Sequence, residues 1–279
     1  MSDGIFTGNG FSFPLGERTY IMGILNITPD SFSDGGTYFD VQSAVCRAKE
    51  IEQEGADILD VGACSTAPNR EQADEETEVS RLRELLEPVI KAVKIPVSID
   101  TYRPASARFA LKAGAKIIND ESGCFSSEMA ALCKEYNAGW IYMHTGGGSA
   151  DKTVGYEQGA AKAVRQSFDG FLTQAASYGI PRERLCLDMG IGFGKTAEEN
   201  IELIQSIKEL KMPGAALLVG LSRKRVIGFL SGETAFSDRD YATAAANTAV
   251  IQGGADILRV HNVRAAVGAA KTADGLFRR

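Results

Sequence analysis

The chain has 279 residues, of which 44% are hydrophobic, enough to bury one barrel-sized core or two smaller ones. Its net charge of -6 argues against a nucleic-acid or anionic-membrane footprint. Without a basic, apolar leader or an apolar run long enough to span a bilayer, the expectation is a soluble, cytoplasmic protein with no nucleic-acid or membrane partner.

Five cysteines, Cys46, Cys64, Cys124, Cys133 and Cys186, are scattered and never form C-x-x-C, so they read as reduced thiols rather than as a disulfide framework or a structural zinc site. The "NIT" at Asn26 matches a glycosylation sequon, which has no meaning without a secretory signal.

In chain order, residues 10–19 read as a short N-terminal hairpin. Eight β-rich apolar runs follow, at 20–26, 56–62, 96–102, 115–121, 140–145, 184–190, 216–222 and 255–262. Between them lie stretches such as "ETEVSRLRELLEPVIKAV", with apolar residues at the spacing of one helix face. Strands apolar on both faces and separated by helices imply parallel pairing. Eight such units without a linker predict an α/β protein: a (β/α)8 TIM barrel, one domain over 1–279 with a short N-terminal extension. A doubly wound open sheet is the alternative.

The polar residues favour the barrel. Asn26, Asp60, Asp100, Asn119, His144, Asp188, Ser222 with Lys224, and Arg259 with His261 fall at or just past the predicted strand ends. In a barrel those ends converge on one face, where active sites lie. Asp and Asn also end strands simply by capping the next helix, but eight such endings are hard to assign to capping alone.

The first strand runs into "NITPDSFSDGG", whose Pro, Asp, Ser and Gly favour a loop. "GIGFGKT" at 190–196 is one residue too short for a phosphate loop and fails the dinucleotide pattern. Its glycines read as allowing backbone to approach a bound ligand. "GLSRKR" at 220–225 places three cations where barrels often bind phosphate, and Arg259 and His261 add donors suited to anionic oxygens. His144 reads as a hydrogen-bonded structural histidine, since two histidines without a third ligand make no zinc site.

With these residues assembled, the chain resembles the dihydropteroate synthases. "GILNITPDSFSDGG", "VSIDTYRP", "IIND", "GIGFGKT", "GLSRKRVIG" and "ADILRVHNV" stand in that family's order and spacing over essentially the whole chain. The resemblance implies a (β/α)8 transferase of folate biosynthesis that joins 6-hydroxymethyl-7,8-dihydropterin pyrophosphate to p-aminobenzoate and releases pyrophosphate. It implies a pterin pocket of Asp100, Asn119, Asp188 and Lys224, with Asp100, Asp188 and Lys224 as the catalytic groups and Thr66, Phe193 and Ser222 as further substrate contacts. Asn26 is implied as the protein's ligand to Mg²⁺ on the pyrophosphate, whose oxygens Arg259 and His261 would grip. The segment after Asn26 becomes a lid, and a homodimer is implied.

Departures from the family pattern are equally specific. The second loop reads "CSTAPN" where the family has E-S-T-R-P-G, so Ala67 replaces an Arg and Arg70 is the nearest substitute cation. The fifth loop lacks G-T-P, Met189 replaces a Pro, and Asn262 replaces an Asp. Two other readings stay open: a pterin- or methyltetrahydrofolate-dependent corrinoid methyltransferase, which would have no use for a pyrophosphate grip, and a non-catalytic pterin-binding paralogue, which Ala67 keeps alive.

Overall fold

The computed structural model describes residues 4–27, 41–63, 74–148 and 152–278. Strands β1 (Ile5–Gly8) and β2 (Phe11–Pro14) pair antiparallel, with Gly8 opposite Phe11. The hairpin therefore turns on Asn9-Gly10, earlier than the expected 10–19. Asn-Gly is the dipeptide that best fits a two-residue turn, and Gly10 takes φ 82° there. On β2, Phe11 and Phe13 face inward and Ser12 faces water.

Eight parallel strands close the barrel: β3 (Tyr20–Asn26), β4 (Ile58–Gly62), β5 (Val97–Asp100), β6 (Ile117–Asp120), β7 (Gly139–Met143), β8 (Leu185–Asp188), β9 (Ala216–Val219) and β10 (Ile257–Val260), with β10 pairing back to β3. Each coincides with a predicted strand, although most are shorter, because chain past the last ladder bond already belongs to a loop.

The intervening helices are α1 (Val41–Gln53), α2 (Glu75–Ala92), α3 (Pro104–Ala113), α4 (Ser127–Glu135), α5 (Ala160–Ser177), α6 (Ala197–Gln205), α7 (Ile207–Leu210), α8 (Arg225–Ser231), α9 (Asp240–Gln252) and α10 (Val263–Phe277). Their starts are chemically marked: Asp74 caps α2, and Thr196 and Glu199 form a reciprocal capping box on α6.

Two apolar layers follow. One lies between barrel and helices; the other fills the barrel's N-terminal end, where Phe6, Phe11, Phe13 and Leu15 pack on Met22, Ile58, Ile117, Ile141, Cys186 and Ile257. Cys186 is thus a packing residue. Because strand side chains alternate with period two, residues two positions beyond Ile58, Ile117, Cys186 and Ile257 also point inward. Those residues are Asp60, Asn119, Asp188 and Arg259. Register aligns Asn26 with Gly62, Gly62 with Asp100, and Asp100 with Asn119.

Candidate active site

At the C-terminal mouth, Arg259 of β10 reaches across the barrel. Its Nε donates to Asp60 Oδ2 at 2.7 Å, one Nη donates to Asp100, and the other lies 3.8 Å from Glu121 Oε1. Asn119 Nδ2 donates to the same Asp60 oxygen at 3.1 Å. Among the described residues, Asp60 Oδ1 is buried with no hydrogen-bond partner. Three carboxylates thus face one guanidinium. Burial, then the Glu121 charge, push the Asp100 carboxyl well above the usual range despite Arg259.

The opposite wall comes from β8 and β9. Asp188 Oδ1 accepts from the Gly190 amide at 2.8 Å, and burial raises its pKa against the pull of Lys224. Lys224 donates to the Ile191 carbonyl, and its Nζ lies 4.8 Å from the centre of the Phe193 ring. Burial lowers the Lys224 pKa, with Arg259 adding to the effect. Of the three cations after β9, Lys224 is the one in this wall. Arg223, at φ 59°, forks onto Asp240 at 2.6 and 2.8 Å.

His261 follows β10. Its backbone amide and Nδ1 both contact Ser222 Oγ, at 3.1 and 2.9 Å. Burial and the charges of Arg259 and Arg223 push its pKa down to about 4, so it is neutral near pH 7. Asn262 caps α10 through the Ala265 amide and donates to Asp240.

Asn26 ends β3 and is exposed. A Cβ on Gly62 would lie 3.3 Å from Asn26 Oδ1 and 3.6 Å from Asp100 Oδ2, so the glycine keeps space open beside both oxygens. Among the described residues, no cluster of three or more His, Cys, Asp or Glu could hold a metal by itself. An amide oxygen is nonetheless a hard donor suited to Mg²⁺, which keeps waters and substrate phosphates as its other ligands.

The surroundings of two further features are resolved. His144 is buried, but its Nδ1 has no hydrogen-bond partner among the described residues; the ring packs beside Tyr156, 5.8 Å between centres, and burial lowers its pKa to about 3. The Nδ1 side of the imidazole is therefore held by packing rather than by the hydrogen bond expected there, with the Lys195 charge adding to the burial that keeps the ring neutral. The glycines of "GIGFGKT" also have a packing role within the protein. Cβ atoms on Gly190 and Gly194, both at positive φ, would meet His144 O at 1.9 Å and Thr145 O at 2.5 Å, so these glycines fit the loop against the end of β7. Gly192 packs on Lys224, with 3.1 Å from its notional Cβ to Cδ.

The structure therefore brings together Asp100, Asn119, Asp188, Phe193, Ser222, Lys224, Arg259 and His261, with Asn26 at the rim. Thr66, Ala67, Arg70 and the expected lid after Ile27 lie outside the described residues. Met189 joins the apolar layer. The sequence places Asp60 at the mouth without giving it a role, and it does not single out Glu121 or Lys195. Glu121 lies just past the end of β6, in the turn that follows Asp120, where strand alternation no longer predicts which way a side chain points.

Residues 22–261 match the family described as pterin binding enzyme. The chain belongs to this pterin-binding enzyme family. Within it, relatives include dihydropteroate synthases: one from Synechocystis is 42% identical, covering 95% of this chain and 93% of its own, and one from Clostridium beijerinckii is 40% identical, covering 96% and 97%. A Clostridium difficile dihydropteroate synthase structure obtained with pteroic acid has a TM-score of 0.88 at 38% identity, covering 95% of this chain and 99% of its own. A Xanthomonas albilineans dihydropteroate synthase in complex with 7,8-dihydropteroate has a TM-score of 0.86 at 32% identity, covering 98% of both chains.

Proposed function

We propose that this chain is a transferase with dihydropteroate synthase activity, acting as one barrel domain in the cytoplasm: it joins 6-hydroxymethyl-7,8-dihydropterin pyrophosphate to p-aminobenzoate. The observation that carries this reading is the meeting of Asp188, Asn119, Lys224 and Phe193 with the Arg259 carboxylate cluster in one barrel mouth.

Each residue type suits the reaction. A pterin's 2-amino and ring N–H donors match the Asp188 carboxylate, which has an oxygen to spare beyond its bond to Gly190. As the methylene C–O bond breaks, positive charge grows on the pterin and negative charge on pyrophosphate. Asp100 and its neighbours offset the first, and Lys224, Arg259 and His261 offset the second. Ser222 Oγ accepts from the His261 amide and can give its own proton to Nδ1, leaving Nε2–H to face an anion. The p-aminobenzoate nitrogen attacks the methylene carbon, pyrophosphate leaves with the C–O electron pair, and the amine proton passes to solvent. No covalent enzyme nucleophile is needed. Asn26 would hold Mg²⁺ together with the pyrophosphate, where the ion supplies charge neutralisation. Thr66 and Arg70 would serve the second substrate, Arg70 in place of the cation missing at Ala67.

A homodimer is the second part of the reading. Phe229 and Leu230 on α8, Phe236 in the segment between α8 and α9, and Tyr241 at the start of α9 are all more than half exposed, Tyr241 at 91%. So many exposed apolar side chains close together in the chain suit a self-complementary contact.

The decisive assay supplies dihydropterin pyrophosphate, Mg²⁺ and p-aminobenzoate and measures pyrophosphate and dihydropteroate. Product formation is expected. Asp188→Asn should weaken pterin binding by roughly 1.5–3 kcal/mol in calorimetry, the scale of a hydrogen bond to a charged group. Pterin binding without turnover would identify a non-catalytic paralogue, and methyl transfer from methyltetrahydrofolate would identify a corrinoid-linked enzyme.

A further inference from the structure

Lys195 is 6% exposed, and its ammonium makes three hydrogen bonds, all to backbone carbonyls: His144 O at 3.1 Å, Gly190 O at 3.0 Å and Phe193 O at 3.0 Å. An ammonium has three donors, so the set is filled. Among the described residues no carboxylate hydrogen-bonds it. A buried cation without an ion-pair partner is costly, and a methionine would fill the same volume more cheaply. The charge must therefore do something that packing does not.

The three carbonyls belong to two segments. His144 follows β7, while Gly190 and Phe193 lie in the loop after β8. The same loop carries the two glycines that fit tightly against His144 O and Thr145 O. Buried Asn200 grips it from α6, accepting from the Gly192 amide at 2.7 Å and donating to Thr196 O at 2.6 Å. At one end of the loop, the Gly190 amide orients Asp188; at its middle, Phe193 lies against Lys224.

We propose that Lys195 is a positioning residue of the pterin pocket: its carbonyl-caged ammonium seats the 189–194 loop on the end of β7 and so aims the Asp188 carboxylate and the Phe193 ring. The role assigned to those two side chains rests on the pterin reading; the clamp itself does not. The charged and titratable groups around the ammonium are Asp188, Lys224, Glu199 and the neutral His144 ring. Burial, opposed by Asp188 and reinforced by Lys224, brings its pKa down to about 7. A pKa brought down in this way puts discharge of the ammonium within reach of neutral pH, and discharge removes one of its three donors.

The test begins with the unliganded protein, so it is independent of any substrate. Amide hydrogen exchange at Gly190, Gly192 and Phe193, corrected for intrinsic rates, should accelerate from about pH 6 to about pH 8 as the clamp discharges. In Lys195→Met that dependence should vanish and the amides should exchange fast throughout. With substrates, kcat/KM for the pterin pyrophosphate should fall on the order of 10- to 100-fold, as for misplaced binding groups, with the KM of p-aminobenzoate little changed. Ethylammonium should restore part of this in Lys195→Ala. A wild-type loop whose protection does not change as the Lys195 ammonium itself is titrated, followed by NMR at its Nζ, overturns the proposal even if neither variant folds. So does a Lys195→Met protein that loses thermal stability but keeps its loop protection and pterin KM. Failure of the wild-type synthase assay with a pH-dependent loop would sink the pterin reading and leave the clamp standing.

Discussion

At the scale of single residues, His261 shows how a charged surrounding selects a protonation state. Arg259, Arg223 and Lys224 disfavour the imidazolium, Asp240 favours it, and burial outweighs them all. A base whose folded pKa lies below its unfolded value of 6.5 adds stability that is complete above 6.5 and lost as pH falls toward about 4, because the unfolded chain takes the proton first. His261→Gln should therefore lose stability less steeply than the wild type across that window in thermal melts without substrate. Parallel curves would mean that His261 is charged in the fold. Residue types at strand ends made much of this mouth legible in the sequence. The pairing of Arg259 with Asp60 was not, because the two are 199 residues apart and only barrel closure brings them together. Lys195 was hidden for a related reason: its partners are backbone oxygens, which carry no sequence signature.

Elements divide cleanly between the two ends of the barrel. The β1–β2 hairpin plugs the end away from the mouth, where Phe6 and Phe11 meet edge to face with 5.2 Å between ring centres. Phe6 is fully buried, so Phe6→Ala should cost about 3–5 kcal/mol, the usual loss for a buried phenylalanine. Chemical denaturation should show that loss while kcat, measured well below the melting range, stays near the wild-type value. A large fall in kcat would mean that the plug transmits strain to the mouth. The strands were readable because their two-sided apolar runs contrast with the helical spacing between them. The hairpin is harder to place from sequence, because its apolar residues alternate over only four positions per strand and Asn9-Gly10 is one of several turn-forming pairs near the start of the chain.

For the whole molecule, eight repeated strand–helix units made the barrel legible without any contact information. Assembly is a separate question. The exposed aromatic group running from α8 to the start of α9 borders the mouth, since the ring of Phe236, between the two helices, meets His261 edge-on at 5.5 Å. A second copy covering that surface would shield the rim without entering it. Sedimentation should give a dimer for the wild type and a monomer for the double substitution Phe229→Asp and Tyr241→Asp, with secondary structure unchanged. A monomeric wild type would remove the dimer.

The Arg259 cluster also limits how this chain can diverge. One guanidinium serves carboxylates delivered by β4, β5 and the end of β6, and Asn119 shares the Asp60 oxygen that the guanidinium binds. Replacing the arginine alone strands acidic groups in a barrel, and replacing Asp60 alone removes a shared acceptor from both Arg259 and Asn119. Single steps away from this arrangement leave a buried charge or donor without its partner, whereas paired changes can remove both sides at once. These positions are therefore bound to be inherited as a block, and descendants of this chain should vary much more freely on the helices that surround the barrel than at its centre.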